Sequence, residues 1–228
     1  MFYKRFLFRF RFPCKHILKA WTGKGCDLDE TYRLPNLAEL ETDSSRENFR
    51  TENTTPPFEL RVGWNNSGFA FSLLVFNKKQ RPWCRAIHPE ESDGIQICLD
   101  TRDVKDIHRA TRFCHRLIFL PTGNGHSQTA PGVFWLPIHR AKDHPNPIDL
   151  EKIKLHNSIG VNGYRLDVWI PSEVLTGYDP KEHPNLGFHF ALIDRELGNR
   201  FFLIEPPFPH DQDPSLWATL ELNSEKNF

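Results

Sequence analysis

From Phe58 onward, apolar and polar positions alternate with a period of two through most of the chain, the spacing of β-strands rather than of helices. Residues 59–64 and 69–76 read as a β-hairpin, because Asn65, Asn66, Ser67 and Gly68 between them supply the chemistry of a tight turn. Phe69, Phe71, Leu73 and Val75 then share one face, which is assigned to the core. Within residues 93–100, Ile95, Ile97 and Leu99 alternate with Gln96, Cys98 and Asp100, a half-buried strand. Residues 113–121 place Phe113, His115, Leu117 and Phe119 on one side and Cys114, Arg116, Ile118 and Leu120 on the other, as in a strand covered on both faces. A strand interrupted by Pro137 follows over 133–141. Tyr164, Leu166, Val168 and Ile170 then oppose Arg165, Asp167 and Trp169, ahead of a short helical turn capped by Ser172. A second hairpin is predicted over 186–194 and 200–205, and residues 217–222 close the chain as a last strand.

Nine to eleven short strands without a long amphipathic helix predict an all-β fold, an antiparallel two-sheet β-sandwich with an N-terminal extension. Residues 1–25 alternate aromatic and basic side chains, a pattern open to an edge strand or a weakly ordered extension. Residues 27–57 are polar and acidic, with Pro35, Pro56 and Pro57 and apolar spots at Leu34, Leu37 and Leu40, and read as a linker wrapping onto the domain. The expected division is residues 1–55 as N-terminal segment and linker, and 56–224 as the sandwich.

Composition narrows the function classes. With 228 residues, 39% hydrophobic and 25% charged, the chain is a globular protein able to bury a full core, and its 18 prolines and 19 phenylalanines suit short strands joined by fixed turns. A formal net charge of zero removes the electrostatic reason to expect nucleic acid or an anionic membrane as partner. No apolar stretch is long enough for a transmembrane segment. The five cysteines are widely spaced without a C-x-x-C pair, so neither a disulfide framework nor zinc is indicated. No secretory signal is read in the first dozen residues, and the expected location is cytoplasmic.

Four segments occur in a telling order: 93–103, 163–175, 186–200 and 215–222. In them, Asp93, Ile95, Ile97 and Asp100 are followed by Ile170 and Pro171, then by Gly187, Phe188, Phe190 and Asp194, then by Trp217 at the opening of the final strand. Over residues 58–222 this resembles the family 9 carbohydrate-binding modules and their wider superfamily, which includes DOMON-type domains. Residues 100–115, 175–188 and 213–222 also look like stand-alone bacterial proteins of that superfamily. The resemblance implies a β-sandwich and a non-catalytic binding role for a carbohydrate ligand.

A sugar offers an apolar C–H face ringed by hydroxyls, so its site needs a flat aromatic beside polar side chains. Trp169 shares a face with Arg165 and Asp167, while Trp83 and Trp135 lie near loop ends. These five are the ligand-binding candidates, each tryptophan being open to the alternative of packing under a loop. Trp64 and Trp217 are assigned to the core. His108, Cys114 and His115 lack metal-ligand spacing, so Arg109 and Arg112 are expected to pair with carboxylates and His115 to be hydrogen-bonded inside the sandwich. Asp100, Asp103, Asp194 and Glu196 are expected to accept backbone N–H bonds in turns rather than to hold calcium. No nucleophile elbow, zinc-protease motif or phosphate loop is present, and neither an enzyme nor a cofactor is expected. The alternatives are a protein-interaction domain on the same fold, or a haem-binding DOMON-like domain with His115 and His189 as ligands to test.

Overall fold

The computed structural model describes residues 10–19, 21–35 and 56–223, and among them the chain is all-β. Eleven strands are described: β1 (Arg11–His16), β2 (Phe58–Asn65), β3 (Gly68–Val75), β4 (Gly94–Asp100), β5 (Cys114–Asn124), β6 (Ala130–Trp135), β7 (Lys154–Ile159), β8 (Tyr164–Pro171), β9 (Asn185–Ile193), β10 (Arg200–Phe201) and β11 (Ala218–Asn223). They form one continuous sheet in the order β6-β5-β4-β9-β11-β1-β2-β3-β8-β7, with β10 added to β9. The sheet folds back until its end strands β6 and β7 touch, a flattened and nearly closed barrel. This corrects the expected pair of separate antiparallel sheets. Two antiparallel halves are present, but β1 joins them, running parallel to both β11 and β2.

The segment expected as an extension therefore supplies the strand that completes the sheet. Phe12 and Cys14 point inward in register with Leu220 and Leu222 of β11, and the Trp64 indole N–H donates to the Cys14 carbonyl at 2.9 Å. The expected linker begins by wrapping the barrel, with Leu28 and Leu34 buried; its residues 36–55 lie outside the described residues.

The inward rows follow the predicted alternation. Phe69, Phe71, Leu73 and Val75 of β3 face Ile170, Val168, Leu166 and Tyr164 of β8 in register. Ring contacts cross the interior between the halves: Phe71 meets Phe119 at 5.0 Å and Phe58 meets Phe190 at 5.9 Å. The β2–β3 turn forms as predicted. Gly68 sits at φ +154, and a Cβ there would fall 2.2 Å from the Ile170 carbonyl oxygen, so glycine is required. Three predictions fare differently. Strand β7 was not foreseen, because an edge strand with few apolar residues leaves little periodic signal. The second strand of the late hairpin shrinks to Arg200–Phe201, since Phe202, Leu203 and Ile204 turn into the core. Ser172 opens a single 3-10 turn but makes no side-chain cap.

Candidate functional site

The five candidates do not form one site. Trp169 does project from the outer face of β8 with Arg165 and Asp167, but it is only 4% exposed, packed with Ala70 under Ile17, Cys26 and Leu28. Of the two readings left open for Trp169, ligand platform or packing beneath a covering segment, the structure shows the second: the N-terminal segment covers this face. Beneath the same cover, Arg165 makes a two-pronged ion pair with Asp167 at 2.8 and 2.9 Å, and the Ser72 hydroxyl donates to the same carboxylate. A Cβ on Gly25 would lie 2.7 Å from Asp167 Oδ2, which shows how closely the covering chain approaches. Trp135 lies on the inward row of β6 opposite Leu117, partly packed against the core, with His144 edge-on at 6.4 Å. Trp83 is half-buried, with the guanidinium carbons of Arg195 and Arg85 3.4 and 4.4 Å from its ring centre.

The opposite half of the sheet carries a pocket of about 180 Å³ on the outer face of β5-β4-β9. Strand register builds its floor, since Gln96 stands between Ile118 of β5 and Ala191 of β9. Gly94 begins the floor, and any side chain there would collide with the Phe119 carbonyl oxygen at 2.4 Å. The walls come from the turn at Pro89–Ser92 and from Phe201, His210 and Asp211. The Arg116 Nε donates to Gln96 Oε1 at 3.0 Å, and the guanidinium meets the Asp211 carboxylate at 3.1 Å, so three polar side chains are locked into one chain along the pocket. Ile118, Ala191, Ile193 and Phe201 supply apolar surface beside them. Trp83 flanks this region, because Asp93, which precedes Gly94, accepts the Trp83 backbone N–H at 3.0 Å.

Behind the wall residue His210 stands a second histidine, His189. His189 of β9 is fully enclosed, with Nδ1 2.9 Å from the Phe202 carbonyl oxygen and Nε2 3.2 Å from Nδ1 of His210. Phe201 packs edge-on to the His210 ring at 4.8 Å. Burial and the neighbouring His210 hold His189 down to about 3, and burial also lowers His210.

The sequence reading missed Gln96, Arg116, Phe201, His210 and Asp211 as pocket residues. The alternation places Gln96 on the polar side of its strand, whereas it places Arg116 on the β5 side shared with Cys114, Ile118 and Leu120. That these sides meet over one pocket follows only from the register.

Other polar expectations resolve as structure. Asp194 and Glu196 accept backbone N–H groups, as expected of turn carboxylates, and with Asp93 they surround the buried Lys78 ammonium, 2.6 Å from Asp194 and 3.2 Å from Asp93. Asp100 accepts the N–H groups of Arg102 and Val104 at the far end of β4. No cluster of three metal-ligating side chains occurs among the described residues. Arg109 and Arg112 bond the Arg140 carbonyl and the Asn146 side chain, not the carboxylates expected for them. His115 is fully buried; neither ring nitrogen makes a hydrogen bond of full geometry, the Thr176 backbone being a polar neighbour, and burial pushes its pKa down to about 4. His115 and His189 cannot hold one haem between them. They flank β4 opposite Leu99 and Cys98, which face opposite sides of the sheet.

Two solved structures share this architecture. One is a family 9 carbohydrate-binding module from Caldicellulosiruptor kristjanssonii in complex with cellotriose, 12% identical, with a TM-score of 0.57 over 96% of this chain and 97% of that one. The other is a family 9 module from the same organism in complex with glucose, 13% identical, with a TM-score of 0.59 over 96% and 98%. The likeness is one of fold. It bears out the family 9-like architecture expected from the four segments, whereas no family model and no curated protein matches the sequence.

Proposed function

We propose that this protein is a non-catalytic carbohydrate-binding module whose ligand site is the pocket on β5-β4-β9. The carrying observation is the joint presence there of an apolar wall, including Phe201, and a locked chain of hydrogen-bonding groups, Gln96–Arg116–Asp211. That combination matches a pyranose, whose C–H face is apolar and whose rim is hydroxyl. At about 180 Å³ the pocket is smaller than the roughly 300–1,000 Å³ of drug-sized sites, so it suits a single sugar unit. The family 9-like modules solved with glucose and cellotriose support the ligand class.

Calorimetric titration of the full chain with glucose and cellotriose tests this. Saturable binding is expected, lost on Arg116→Ala. A ligand at 100 times Kd also stabilises the fold by about 2.7 kcal/mol, which a thermal-shift series reads independently. Absence of heat and of shift with both sugars at tens of millimolar overturns the proposal.

A further inference from the structure

The histidine pair fixes how the pocket reads its ligand. The Phe202 carbonyl only accepts, so His189 Nδ1 carries the proton that reaches it at 2.9 Å. In a neutral ring His189 Nε2 is then bare, and the contact at 3.2 Å requires His210 to donate from Nδ1. A neutral His210 that donates from Nδ1 has an unprotonated Nε2 on the other side of its ring. No hydrogen bond from a described residue to that nitrogen occurs, and His210 is one of the residues lining the pocket. We propose that His210 Nε2 is a dedicated hydrogen-bond acceptor that selects an uncharged, hydroxyl-bearing ligand; this rests on the carbohydrate reading of the pocket.

The charged groups around the ring agree with that assignment. Asp211 beside it and Glu90 on the Pro89–Ser92 turn add two carboxylates to the pocket, while the cation, Arg116 on β5, is already paired with Asp211 and Gln96. His189 on β9 is neutral and cannot donate outward. The pocket is therefore richer in acceptors than in free donors. A sugar hydroxyl donates to such a site, whereas a uronate or phosphate is repelled by it. Protonation of His210 turns Nε2 into a donor, so affinity falls as pH drops through the His210 pKa, which burial places below the ordinary histidine value.

The test combines ring ¹⁵N NMR on the ligand-free full chain across a pH series with glucose titrations of wild type, His210→Phe and His210→Gln at pH 7.5 and below the His210 titration. Expected are Nδ1–H tautomers at both His189 and His210, and wild-type affinity that weakens once the pH falls through the His210 titration read in the same spectra. His210→Phe should bind at least tenfold more weakly at pH 7.5 with a flat pH profile, and His210→Gln, which keeps a neutral acceptor, should recover most of the affinity. Glucuronate should bind wild type at least tenfold more weakly than glucose. An Nε2–H tautomer at His210 overturns the inference whether or not sugar binds. Equal glucose affinity of wild type and His210→Phe overturns it while leaving the carbohydrate reading standing, and failure of wild type to bind any sugar removes both.

Discussion

His115 shows what a single polar side chain does inside a sheet that is apolar on its inner face. It occupies the inward row of β5 opposite Leu99 with neither ring nitrogen in a hydrogen bond of full geometry. The folded state holds the ring neutral down to about pH 4, while the unfolded chain takes up a proton near pH 6.5. The stability contribution is therefore constant above pH 6.5 and is lost progressively between pH 6.5 and 4, where only the unfolded state binds the proton. Its limit is about 3 kcal/mol. His189, held down to about 3, adds a loss of the same sign over the same range and beyond. His115→Leu keeps the approximate volume and removes the titrating group, so it should flatten the acid limb without abolishing it and gain stability relative to wild type at pH 5. Urea unfolding at pH 8, 6 and 5 checks this, and an unchanged slope would assign the acid sensitivity elsewhere. Lys78 is the converse case, because its ammonium neutralises Asp93 and Asp194, both buried. Lys78→Met leaves those carboxylates without a counter-ion and should cost about 3–5 kcal/mol, read by the same unfolding experiment at pH 7.

Among the elements, β1 carries the most consequence and was the least legible. The hairpin β2–β3 and strands β4, β5, β8, β9 and β11 follow from alternation that any short window of sequence contains. The place of β1 does not. Its partners begin 42 and 202 residues further on, at Phe58 and near Ala218, and parallel pairing leaves no turn between them to read. Its aromatic–basic alternation fits an inserted strand as well as an edge. A chain starting at Pro56 should thus lose more than a tail: β11 and β2 would face each other with unpaired backbone groups, and Trp64 and Leu222 would lose inner neighbours such as Cys14. The expected result is a truncated protein without a cooperative unfolding transition, rescued by a synthetic peptide of residues 10–35. Circular dichroism melts with and without the peptide decide it. A truncated chain that melts cooperatively alone would show the two antiparallel halves to be self-sufficient.

At the scale of the whole molecule, the two halves of the sheet treat their outer faces differently, and the alternation of residues does not show it. Alternation correctly put Trp169, Arg165 and Asp167 on the outer face of β8, but alternation is blind to what lies above a strand. There the chain's own N-terminal segment packs over Trp169. The outer face of β5-β4-β9 instead carries the pocket, assembled from strand rows, the turn before β4 and residues 201–211, the last two more than 100 residues apart in sequence. One face is thus covered by the chain itself and the other carries an open pocket, and on the proposed function substitutions should separate accordingly. Trp169→Ala removes a buried indole and leaves a cavity between Ala70, Ile17 and Leu28, at a cost of about 3–5 kcal/mol, yet it touches nothing in the pocket and should leave glucose affinity within twofold of wild type. Arg116→Ala deletes a partly exposed ion pair, for which about 1 kcal/mol is a fair upper expectation, but it unlocks Gln96 and Asp211 together and should abolish binding. Unfolding and titration on the same two proteins give four numbers, and the arrangement requires the large stability loss and the large affinity loss to fall on different variants. If Trp169→Ala also lost affinity, at a temperature where it remains folded, the two faces would be coupled through the shared core, and the pocket could no longer be treated as a site independent of the N-terminal cover.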